Sequence, residues 1–115
     1  MITGDRHAAV TGVLICLDST EYVVSEAFEQ GCNMIIAHHP ILFRGLKKIT
    51  GDNYVERTII QAIRNDIAIY AVHTNLDNII SGVNSKIGQL LGLQHVQILQ
   101  PRPGSRHEEN MTGAG

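Results

Sequence analysis

An α/β fold with a mainly parallel sheet and flanking helices is what this chain predicts, on three observations. Short apolar runs occupy residues 10–17 (VTGVLICL), 33–37 (NMIIA) and 67–72 (IAIYAV). Amphipathic segments of helical period alternate with them. Each run also ends on polar residues, Asp18-Ser19-Thr20, His38-His39-Pro40 and His73-Thr74-Asn75. Strands that stop on polar side chains at one end are the arrangement by which open parallel sheets present a site.

Taken in order, residues 1–9 form a polar lead-in, with His7 expected in solvent. The run at 10–17 is almost wholly apolar, which suits a parallel strand covered on both faces. Thr20 or Ser19 is the predicted N-cap of the next helix. Val23, Val24, Ala27 and Phe28 give that helix an apolar stripe, and Gly31 ends it as a C′ glycine. Residues 33–37 then complete a βαβ unit with a right-handed crossover. Residues 41–52 read as an irregular loop beside the histidines, with Arg44, Lys47 and Lys48 as a solvated face or an anion-receiving one.

A second helix is expected over residues 54–65, with Val55, Ile59, Ile60, Ala62 and Ile63 inward and Asn53 or Asp52 as cap. The third strand, 67–72, delivers His73. Residues 74–82 form a loop, 83–91 a third helix ended by Gly92, and 96–99 a fourth strand. The α/β lobe is thus predicted over residues 1–100, and the polar stretch 101–115 reads as linker or disordered tail.

At 115 residues, 43% apolar and 17% charged, with net charge −2, the composition is that of one ordinary globular domain. No basic excess predicts a nucleic-acid surface. No apolar run approaches the roughly 20 residues of a membrane helix. The N-terminus lacks the pattern of a signal peptide, so a cytoplasmic location is expected. Cys16 and Cys32 read as small buried hydrophobes rather than as a disulfide.

His38, His39, His73 and Asp77 are the donors that the strand order collects, with Asp18 nearby. Nitrogen and carboxylate oxygen together suit zinc, iron, manganese, cobalt or nickel without choosing among them. No cysteine joins the set, so an open, catalytic type of site is favoured over a structural zinc knot. Each residue also has a plainer role, His38 and His39 as a pair of surface or capping histidines. His73 alone reads as a hydrogen-bonded structural histidine, Asp77 as a loop or helix cap, and Asp18 as a cap or an acceptor behind a ligand.

These residues carry a family resemblance. The strand and turn GVLICLDST at 12–20, Ala37-His38-His39-Pro40, His73-Thr74-Asn75-Leu76-Asp77 and Gly82-Val83-Asn84 are similar to the Nif-three-like dinuclear metal centre proteins, many of them labelled GTP cyclohydrolase type-two homologues. The resemblance runs from about Ile2 to Leu93. It implies that His38, His39 and Asp77 are ligands of two divalent transition-metal ions. It also implies that His73 borders them, as a proton carrier or as a group that supports the ligands from behind, with a further His and Glu coming from a second lobe. Members of the family are at least twice this length and form toroidal hexamers, so the chain resembles a truncated first lobe that self-associates.

The function expected on that basis is a metal-dependent hydrolase acting on a nucleotide-like or other phosphate- or carbonyl-containing substrate. The alternative is a non-catalytic metal-binding regulatory or scaffold protein.

Overall fold

The computed structural model describes residues 1–98, 100, 101, 113 and 114. They fall into two compact units, Met1–Val72 and His73–Gly115.

The first unit is built on three parallel strands, β1 (Val13–Cys16), β2 (Met34–Ala37) and β3 (Ala68–Ala71), in the order β1-β2-β3. Their register aligns Leu14 with Ile35 and Ile69 on one face, and Ile15 with Ile36 and Tyr70 on the other. The predicted α/β class with a parallel sheet is therefore what the chain forms. The N-terminal segment adds an antiparallel bridge at the β3 edge, where Ile2 N–H donates to the Ile69 carbonyl at 2.7 Å.

Helix α1 (Glu21–Glu29) starts at Thr20, whose hydroxyl accepts from the Val23 N–H at 3.3 Å. It is followed by Gly31 at φ +69°, a conformation glycine takes without a steric penalty. Helix α2 (Tyr54–Arg64) starts at Asn53, whose side-chain oxygen accepts from the Glu56 N–H at 3.0 Å. Both helices lie over the same sheet face. Val24 and Ala27 of α1 and Ile59 and Ala62 of α2 close one core with Ile35, Ile67 and Ile69. Arg57 Nε donates to Glu21 at 3.0 Å and Gln61 to the Ser25 hydroxyl at 2.7 Å, tying the two helices together.

That arrangement corrects two expectations. The first strand is not covered on both faces: Ile15 is 79% exposed, and Val13 and Leu17 are exposed with it. Phe28, assigned by spacing to the inner stripe of α1, also faces solvent. Cys16 and Cys32 are half-buried free thiols.

Glu56 organises the end of the 41–52 loop. It is buried, and one carboxylate oxygen accepts from the N–H groups of Thr50, Gly51 and Asp52 and from the Thr50 hydroxyl, at 2.9–3.1 Å. The Thr50 N–H is the strongest influence holding its pKa down to about 2, against the opposing effect of burial. Lys48 pairs with Asp52 on the exposed loop surface, which fits the solvated reading of those cations.

The second unit contains a 3-10 turn at His73–Asn75, helix α3 (Val83–Leu90), and a two-residue pairing of β4 (Gln100–Pro101) with β5 (Gly113–Ala114). Gly92, at φ +67°, follows α3 as expected. Residues 96–98 form no strand, contrary to the prediction for 96–99, and Leu99 lies outside the described residues. Among the described residues no strand pairs with 96–98 to supply the ladder that would hold the Val96 and Ile98 alternation extended. Apart from Pro101, Gly113 and Ala114, the tail expected at 101–115 lies outside the described residues. Among the described residues no helix is long and apolar enough to cross a membrane.

Candidate functional site

Parallel pairing fixes where the two adjacent histidines leave the sheet. The His38 N–H donates to the Cys16 carbonyl at 3.1 Å, and the His39 N–H to the Leu17 carbonyl at 2.9 Å. The chain beyond β2 is thus clamped to the chain beyond β1, and the two histidines stand beside Asp18. Their rings meet edge to face with centroids 4.8 Å apart. His39 Nδ1 lies 2.8 Å from Asp18 Oδ1. The divergence that an extended strand imposes on consecutive side chains has ended here, as the strand-end reading required.

Asp18 does not cap α1, since Thr20 takes that position. Ser19 between them is 4% exposed, and its hydroxyl has no hydrogen-bond partner among the described residues. Burial pushes the Cys16 pKa up, Ser19 opposes that, and Asp18 adds to the rise. Cys16 is therefore held as a neutral thiol at the edge of the site.

His73 and Asp77 belong to the second unit. His73 opens the 3-10 turn at φ +39°, a left-handed conformation that a non-glycine residue adopts at a cost of about 1–3 kcal/mol. Asp77 follows in a half-buried turn. The motif Gly82-Val83-Asn84 holds this turn in place. Asn84 Nδ2 donates to the Asp77 carbonyl at 3.1 Å. The Gly82 N–H donates to the Ile79 carbonyl at 2.9 Å. A Cβ on Gly82 would overlap the Leu76 carbonyl oxygen and sit 2.7 Å from that of Ile79, so the turn closes only around glycine.

The structure thus brings His38 and His39 together with Asp18, while His73 and Asp77 sit on the turn that follows β3. Among the described residues, no group of three or more His, Cys, Asp or Glu side chains forms a metal-holding cluster. Two imidazoles, one of them backed by a carboxylate, are a partial donor set whose chemistry fits a divalent transition metal. Glu56 was missed as an organising residue. Its signal was the Asn53-x-x-Glu56 spacing of a capping box, ahead of a run of apolar residues at helical spacing.

A three-stranded parallel α/β unit with paired histidines at its carboxyl edge defines the class of protein. Residues 1–114 match the sequence pattern of Duf34/NIF3 (NGG1p interacting factor 3), and the chain belongs to that family. It is 44% identical over 99 residues to a Clostridium acetobutylicum protein named GTP cyclohydrolase 1 type 2 homolog, covering 86% of this chain and 37% of that one. A Halalkalibacterium halodurans protein of the same name is 43% identical over 108 residues, covering 87% and 29%. Among solved structures, a Bacillus cereus protein related to NIF3 superposes with a TM-score of 0.81 at 48% identity, covering 87% of this chain and 28% of that one. Reduced HcgD from Methanocaldococcus jannaschii superposes with a TM-score of 0.73 at 28% identity, covering 89% and 39%. The chain therefore spans roughly a third of the length of these relatives.

Proposed function

We propose that this chain is the metal-binding front lobe of a metal-dependent, hydrolase-type protein. His38, His39 and Asp77 would hold part of a centre of two divalent transition-metal ions, and the rest of a longer protein would supply the remaining ligands. Such a centre, when loaded, supplies Lewis-acid polarisation of a phosphoryl or carbonyl oxygen and activation of water. The substrate class is nucleotide-like, or another phosphate or carbonyl compound, in keeping with the names of the curated relatives. His73 is the group that moves protons: imidazole exchanges protons near neutral pH, and its left-handed backbone is the kind of strain that clusters at functional positions. The cytoplasm is the proposed location.

The observation that carries this reading is the pair of adjacent imidazoles at the carboxyl end of β2, with His39 Nδ1 on Asp18 Oδ1 at 2.8 Å. The test is elemental analysis of the purified, tag-free chain after equilibration with Zn2+, Mn2+ or Fe2+, together with His38→Ala and Asp77→Ala. Metal bound by the parent and lost by both variants, with circular dichroism unchanged, supports the assignment. Equal metal content in all three overturns it. Turnover of a phosphate and amide substrate panel that depends on the metal and on His73 would establish the enzyme.

A second reading has its own support, in the bare apolar face of Ile15, Val13 and Leu17. Soluble proteins rarely leave such a face uncovered, and a scaffold that works through homo-oligomeric ring assembly would bury it. Metal binding without turnover, with a sedimentation mass of several chains, would favour that reading.

A further inference from the structure

We infer that Asp18 is a positioning residue for His39, setting which ring nitrogen His39 offers to a ligand. The inference deepens the proposed metal-binding reading and rests on it for the identity of that ligand. Three observations converge. The two backbone hydrogen bonds from His38 and His39 to Cys16 and Leu17 lock the ends of β1 and β2 in register, which places Asp18 opposite His39. Thr20 caps α1, so the Asp18 carboxylate is not spent on the helix. The carboxylate then meets the imidazole at 2.8 Å, through Nδ1.

An aspartate carboxylate has only acceptor oxygens, so the proton of this contact sits on Nδ1, and Nδ1–H donates to Oδ1. In the neutral ring the lone pair is then on Nε2. The contact therefore sets the tautomer and the ring orientation together, and it makes Nε2 the ligating nitrogen. Carboxylates that orient a metal-bound imidazole in this way typically change metal affinity about 10–100-fold. With side chains 42% and 59% exposed, solvent competes for both groups. The effect belongs near the lower end, about 10-fold.

The experiment uses the 115-residue chain, uniformly 15N-labelled, with the His39 ring signals identified by their loss in His39→Gln. Long-range 1H–15N spectra distinguish Nδ1–H from Nε2–H imidazole. The expected parent spectrum shows His39 as Nδ1–H. Asp18→Ala shifts it toward Nε2–H and weakens Zn2+ binding about 10-fold by calorimetry. Asp18→Asn retains a side-chain acceptor, keeps the Nδ1–H form and recovers part of the affinity. Backbone amide spectra confirm that each variant is folded, and Asp18→Asn serves where Asp18→Ala is not.

The same His39 tautomer in the parent and in Asp18→Ala overturns the inference whatever the metal content. So does a tautomer change that leaves Zn2+ affinity untouched. An Asp18-dependent tautomer in a parent chain that takes up no Zn2+ overturns the metal reading and upholds Asp18 as the residue that orients His39.

Discussion

Ile35→Ala and Ile15→Ala remove the same atoms from adjacent, directly paired strands, and they should differ several-fold in cost. Ile35 is fully buried on the central strand, beneath Val24, Ala27, Ile59 and Ala62. Truncation deletes three buried carbons at about 0.8 kcal/mol each, roughly 2.4 kcal/mol of transfer free energy. The cavity left between two helices and a sheet cannot fully collapse, which raises the cost to about 3–4 kcal/mol. That is a large share of the 5–15 kcal/mol typical of a domain. Ile15 keeps 79% of its surface in water, so the same deletion there should cost about 0.5 kcal/mol. Urea denaturation followed by circular dichroism reads both, as midpoint shifts at constant slope. A loss at Ile15 matching that at Ile35 would refute the one-sided core: the outer sheet face would then be covered in solution. The consequence reaches the site, because β2 is the strand that carries His38 and His39.

Glu56 sets an acid-stability limb. Its folded pKa of about 2 lies below the ordinary 4.5, so its contribution is complete above pH 4.5 and drains away as pH falls toward 2. Urea midpoints of Glu56→Gln should therefore be lower than the parent's near neutrality and flatter across that window, and parallel profiles would contradict the clasp. Thr20→Ala removes the cap of α1 and should cost about 1 kcal/mol, read in the same titration; a change under ~0.3 kcal/mol would show that the cap is not formed in solution. Gly82→Ala places a Cβ on backbone carbonyls and should cost more than about 2 kcal/mol or unwind the 76–82 turn. Faster proteolysis within that turn, with Asp77 released from Asn84, is the readout.

Much of the fold was legible because local chemistry decided it. Thr20 and Asn53 are caps by their side-chain oxygens, and Gly31 and Gly92 mark helix ends because glycine tolerates positive φ. The His-His-Pro stretch had to leave the strand, and it does so where expected. Glu56 was legible in principle, through its spacing from Asn53. Its role still depended on the 50–52 backbone folding back to offer three N–H groups.

The tertiary structure alone decided which face of the sheet is covered. Residues 13–16 are apolar at every position, and such a run cannot say whether one face or both will be buried. Strand order settles it: two crossovers of the same hand along a sheet ordered β1-β2-β3 leave both helices on one side. Leu14 is therefore packed and Ile15 bare. The partner of Asp18 was equally beyond the sequence, which left that residue as a cap or an acceptor behind a ligand. Only the pairing of β1 with β2 brings residues 21 positions apart within 2.8 Å, and that register is a property of the assembled sheet.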